Sequence, residues 1–170
     1  EHAADASAPD YSLMTVEGIC DFAATCDLDD VRDVLERQIA CNSAIADEGL
    51  RGDWGANIGK VLLTRGGDVR SRAKARAAAG SDARMNGCEL PVVINSGSGN
   101  QGMTASLPVI EYARALGAGE EELLRALLVS NLVTLHEKTG IGRLSAYCGA
   151  VSAGAGAGAG IAWLHGGGFN

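Results

Sequence analysis

Aromatic side chains are scarce, with two Trp, three Tyr and two Phe in 170 residues. A core without large rings must be filled by aliphatic side chains and by backbones that approach closely, and 24 glycines beside a 46 % apolar content supply both. Basic residues are also short: 14 Lys and Arg stand against 21 Asp and Glu, for a net charge of −7. That balance argues against nucleic acid or an anionic membrane as partner, since each needs a basic footprint. No Cys-x-x-Cys pair occurs among Cys20, Cys26, Cys41, Cys88 and Cys148. A disulfide framework or structural zinc site is therefore not expected, and reduced, cytoplasmic thiols are. No apolar run follows Glu1 and His2 to make a secretory leader, and the missing initiator Met reads as a piece of something longer. What remains is one folded domain rather than a disordered chain.

The pattern along the chain is mainly α. Residues 1–12, rich in Ala, Ser and Asp, read as a flexible arm, and 13–170 as the helical domain. Asp27 is the expected cap of a helix whose stripe is Val31, Leu35, Ile39 and Ile45, closed at Gly49. A short helical segment through Ile58, Val61 and Leu62 stops at Gly66-Gly67. Val69–Ala79 is a helix whose basic run reads as a solvated face. Leu90–Asn95 is a candidate strand. Met103–Leu116 reads as a helix bent at Pro108, and Glu120–Thr139 as the clearest helix, with three glutamates at its positive end and a stop at Gly140.

From Leu144 to Asn170 there is no Lys, Arg, Asp or Glu. The stretch is long enough for a membrane span, yet it is mostly glycine and alanine and lacks basic flanks. As a helix it would place Gly154 and Gly158 on one face and Gly156 and Gly160 on nearly the opposite one. A helix slim on both sides suits a buried central position with close neighbours on each flank, in preference to a membrane span or a flexible loop.

Ser96-Gly97-Ser98-Gly99-Asn100-Gln101-Gly102 is the most distinctive loop. It contains a Gly-x-Gly-x-x-Gly between a candidate strand and a helix, but no second strand and no acid placed for a ribose follow, which weakens a nucleotide-binding reading. Its hydroxyls, amides and glycines, with a helix N-terminus behind them, suit a small anion such as a carboxylate. A tight turn with capping side chains is the plainer alternative.

Three stretches carry a resemblance. They are Ser81-Asp82-Ala83-Arg84-Met85, then Pro91-Val92-Val93-Ile94-Asn95 running into the glycine loop, then Arg143-Leu144-Ser145-Ala146-Tyr147-Cys148. In order and spacing they resemble the serine dehydratase α-chain superfamily, and within it the L-cysteine desulfidase branch. The resemblance runs from about Leu28 to the end of the chain. It implies a mainly helical catalytic domain, independence from pyridoxal phosphate, and a [4Fe–4S] cluster for β-elimination from a small amino acid. The implied cluster ligand is Cys148. Two further cysteine motifs of the family have no counterpart here, so the chain resembles an internal piece of a longer enzyme.

The implied chemistry assigns roles. Elimination needs a base for the α-proton and donors that hold the carboxylate as negative charge develops. The loop from Ser96, Gly97 and Ser98 through Gly99, Asn100 and Gln101 is the candidate carboxylate clamp, with Arg84 or Arg143 as counter-charge. His136 and Lys138 are the candidate bases, although His136 also reads as a hydrogen-bonded histidine at the edge of an apolar face. The substrate is expected to be L-serine or L-cysteine, with pyruvate and ammonia as products and sulfide from cysteine. A helical domain that binds a small anion without catalysis is the second reading. A homo-oligomer stays open.

Overall fold

The computed structural model describes residues 10–142 and 147–169. The described residues form seven α-helices: α1 (Val16–Thr25), α2 (Arg32–Arg51), α3 (Ile58–Arg65), α4 (Val69–Met85), α5 (Gly99–Leu116), α6 (Glu120–Ile141) and α7 (Gly149–Leu164). The fold is mainly α, as the periodicity predicts.

Local chemistry explains most boundaries, and several differ from expectation. Asp27 does cap, but it caps a 3-10 turn at Leu28–Asp30; α2 starts later, at Arg32, with no side-chain cap. The end of the expected arm is ordered, since Asp10 accepts from the Ser12 N–H and caps a 3-10 turn at Tyr11–Leu13. Helix α1 has no counterpart in the periodicity reading; Thr15 caps it through the Gly18 N–H, and Ile19 and Ala23 bury one narrow face. Gly49 does not end α2. It sits inside the helix where α2 crosses α4, and a β-carbon there would stand 2.1 Å from the Ala79 carbonyl oxygen. Gly140 likewise lies within α6, whose C-cap is Gly142, and α5 continues through Pro108.

The run Leu90–Asn95 forms no strand. Its hydrogen bonds go to a side chain instead: Asn42 Oδ1 accepts from the Val93 N–H at 2.8 Å, and Asn42 Nδ2 donates to the Val93 carbonyl at 3.2 Å. One fully buried amide on α2 thus does the work of a neighbouring strand's peptide group. The basic run of α4 is not simply solvated either. Arg76 is buried, and its Nε pairs with the buried Glu111 of α5 at 3.1 Å.

The main core gathers Leu35, Val109, Ile110, Leu124, Leu127 and their neighbours from α1, α2, α5, α6 and α7. A second cluster of Ile45, Ala83, Met103 and Leu107 ties α2, α4 and α5 together. Helix α7 packs on α6 and α5 through its Gly156–Gly160 side. At Gly156 a β-carbon would meet Thr134 Oγ1 at 2.1 Å and the Ser130 carbonyl oxygen at 2.4 Å. The Gly154–Gly158 side meets nothing within 4 Å among the described residues, so close approach is used on one flank of the helix. No helix among the described residues is long and apolar enough to cross a membrane.

Candidate functional site

The glycine loop is built from a tight turn and a helix start. Asn95 and Ser98 exchange backbone hydrogen bonds at 3.1 and 3.0 Å, with Ser96 (φ +49°) and Gly97 (φ +79°) both left-handed between them. Two successive left-handed residues are the signature of a type I′ turn. Ser98 then caps α5, its Oγ accepting from the Gln101 N–H at 3.4 Å.

A chain of amides fixes this turn to the helices. Asn95 Nδ2 donates to the Asn131 carbonyl at 3.2 Å and to Asn131 Oδ1 at 3.0 Å. Asn131 in turn exchanges two hydrogen bonds with Gln38 of α2, at 2.9 and 2.8 Å. Asn95 is 6 % exposed, and its Oδ1 is buried without a donor. None of Gln38, Asn42, Asn95 or Asn131 stands out by motif. The available signal is an amide on the buried side of an amphipathic helix, as at Gln38, Asn42 and Asn131.

Each expected clamp residue has a distinct setting. Ser96 and Gly97 line a cavity of about 780 Å³ between the turn and the C-terminal end of α6. Gly99 is buried beneath Arg84: a β-carbon there would stand 2.4 Å from Arg84 Nε and 2.9 Å from Val92 Cγ2. Arg84 Nη1 donates to Asn100 Oδ1 at 3.3 Å, so Asn100 holds the guanidinium over the first turn of α5. Gln101 is buried with its Oε1 unpaired, and its amide lies over Gly149 of α7, where a β-carbon would come within 2.3 Å. Gly102 allows the Val93 carbonyl to approach to 2.1 Å of a β-carbon position. The three glycines of the Gly-x-Gly-x-x-Gly thus serve a left-handed turn, an arginine and a close chain crossing. No strand occurs among the described residues, so the parallel sheet required by the dinucleotide reading is missing there.

Of the two candidate bases, the turn meets Lys138. Lys138 is 7 % exposed and lines the cavity with Ser96 and Gly97, and its ammonium has no hydrogen bond or ion pair among the described residues. His136 is half-buried and two residues away, about 200° round the helix, and it does not line that cavity. Arg143 lies outside the described residues. Cys148 is exposed at the N-cap of α7, next to the Gly149 on which Gln101 rests. Arg84, Lys138 and the positive end of α5 concentrate cationic character around the turn of an acidic chain.

The description "Serine dehydratase alpha chain" belongs to the family model that matches residues 5–170. The chain belongs to the serine dehydratase alpha-chain family. A UPF0597 protein of Desulfitobacterium hafniense is 66 % identical over 165 residues, covering 96 % of this chain and 38 % of the relative. One from Lachnoclostridium phytofermentans is 62 % identical, covering 96 % and 39 %. One from Bacteroides fragilis is 43 % identical, covering 92 % and 38 %. The chain thus spans about two fifths of the length of the curated relatives it matches. No solved structure matches.

For this serine dehydratase alpha-chain domain, a [4Fe–4S] cluster must be tested against the thiols present. The described residues contain no group of three or more His, Cys, Asp or Glu that could hold a metal ion. Cys20 lies on α1, Cys26 follows it, Cys41 lies on α2 and Cys88 follows α4, all half-buried. Burial also pushes the Cys20 thiol up, away from the thiolate that iron requires. One exposed thiol, Cys148, is on offer near the turn. The described residues therefore do not fit a complete cluster.

Proposed function

We propose that the longer polypeptide carrying this domain is a lyase that removes the β-substituent of L-serine or L-cysteine. The products are pyruvate and ammonia, with sulfide from cysteine. The observation that supports this reading is what surrounds the turn and the start of α5: a buried lysine whose ammonium has no partner among the described residues, an arginine over the helix N-terminus, and the start of α7 with its exposed cysteine. A [4Fe–4S] cluster held by Cys148 and by ligands outside this chain would supply a Lewis acid for the leaving group.

The chain's own residues divide the remaining work. The N-terminal turn of α5, with Arg84 held by Asn100, binds the substrate carboxylate. Lys138 takes the α-proton across the turn. Ser96, which lines the cavity with Lys138, and Gly99, which lies under Arg84, are three residues apart in the chain. The incomplete thiol set favours one competing reading, a small-anion-binding domain without chemistry.

Anaerobically reconstituted full-length protein tests this directly through pyruvate release. Lys138→Met should lower kcat by about 10²–10⁴-fold, the usual worth of a positioned base. Arg84→Ala should cost roughly 10- to 150-fold in kcat/KM, the equivalent of about 1.5–3 kcal/mol for a charged hydrogen bond. That loss should be equal for serine and cysteine, which share the carboxylate. Cys148→Ser should remove iron–sulfur absorbance and activity together. Carboxylate binding without pyruvate release in the reconstituted wild type would leave the binding reading.

A further inference from the structure

The chain holds three lysines in three different settings. Lys74 is exposed on α4, and Lys60 on α3 donates to the Gly52 carbonyl. Lys138 on α6 is the buried one, at 7 % exposed, and it borders the cavity of about 780 Å³ beside the turn. Among the described residues nothing accepts a hydrogen bond from its amine, and none of those lining the cavity is Asp or Glu. The neighbouring Thr139 hydroxyl is already committed to the His136 carbonyl, at 2.6 Å. An amine withdrawn from bulk water, held in no ion pair and bordering a space that admits small molecules is where lysine acts as a nucleophile on carbonyl carbon. The surroundings also favour a carbonyl compound that is an anion. Arg84 and the positive end of α5 stand around the same turn, and Ser96 brings a hydroxyl to the lining.

We propose that Lys138 is an imine-forming site for α-keto acids, and that pyruvate is captured there. The choice of pyruvate rests on the lyase reading, in which it forms beside this lysine. The Nζ lone pair attacks the keto carbon, and the carbonyl oxygen leaves as water with the two amine protons. A C=N bond replaces C=O, and no oxidant or reductant takes part. The captured amine no longer takes an α-proton, so the site is restrained by its own product.

Reductive trapping tests this on the full-length protein without cluster loading or turnover. The protein is incubated with pyruvate, reduced with sodium cyanoborohydride and digested for peptide mass mapping. Hydride adds to the imine carbon and leaves N-(1-carboxyethyl)lysine at the captured residue. Lys138 should be labelled roughly 10-fold or more above Lys74, the worth of one charged hydrogen bond to the keto acid's carboxylate. Acetone, a ketone without the carboxylate, should lose that preference. Lys138→Arg and Lys138→Met should abolish the adduct there while Lys74 keeps its background, and the wild-type map decides the matter even where a variant fails to fold. Lys138 labelled no more than Lys74, or labelled equally by acetone and pyruvate, would overturn the proposal, even in a protein that turns over serine or cysteine. Selective labelling in a reconstituted protein that turns over neither would uphold the imine site and sink the lyase reading instead.

Discussion

Gln101 and Gly149 interlock. The amide of Gln101, on the first turn of α5, occupies the space a β-carbon of residue 149 would need, at 2.3 Å from that position. Gly149→Ala should therefore displace the amide and with it the start of α7 beside Cys148. Overpacking of this kind costs about 1–3 kcal/mol. Gln101→Ala should relieve it, so thermal melts of the two single variants and the double should be strongly non-additive. Additive losses would show that the two residues do not share this space.

The two glycine faces of α7 should respond with opposite sign. Gly156→Ala drives a methyl group into Thr134 and the Ser130 carbonyl and should lower stability by about 1–3 kcal/mol. Gly154→Ala meets nothing within 4 Å among the described residues. There, the gain in helix propensity should raise stability by about 0.5–1 kcal/mol. Urea unfolding of the two variants reads both signs.

Glu111 is the hub of a part-buried cluster, with Arg76 at 3.1 Å, Arg114 at 3.0 Å and Arg72 at 3.6 Å. It is 7 % exposed, and Arg76 is 9 % exposed. Glu111→Ala leaves the buried Arg76 guanidinium to Asp47, its hydrogen-bond partner at 2.5 Å, and should cost about 3 kcal/mol, the lower end for breaking a buried pair. Replacing both residues, as Arg76→Met with Glu111→Leu, should recover much of that loss, because apolar packing tolerates the removal of a whole pair better than of one partner. Denaturation midpoints of the single and double variants check this.

Asp68 connects pH to the helix that carries Arg84. Its carboxylate lies below the ordinary range because it accepts the Ser71 backbone N–H, and then the Ser71 side chain, at the start of α4. A lowered folded-state value means that the stabilisation is present above the unfolded value and is lost as pH falls through the folded one. The melting temperature of wild type should therefore converge on that of Asp68→Asn below about pH 4. Asp68→Ala, which has no cap at all, should remain lower at every pH.

The sequence determines the helices from α2 onward, α1 having no counterpart in the periodicity, because the 3.6-residue period is a local property. The stripe of Val31, Leu35 and Ile45, the glutamates opening α6 and the glycine–alanine pattern of α7 each specify an element without reference to the rest. The glycine loop was legible in the same way, since only a turn or a ligand explains so many small polar residues together. The tertiary structure alone decided what each polar group meets. Asn42 takes the place of a strand partner 51 residues away, and Gln38 pairs with Asn131 across 93. His136 and Lys138 are equal candidates by composition, yet of the two Lys138 lines the cavity beside the turn and His136 does not. Such pairings depend on where helices cross, and crossing points are set by close contacts such as Gly49 with Ala79 and Gly156 with Ser130, which no local pattern encodes.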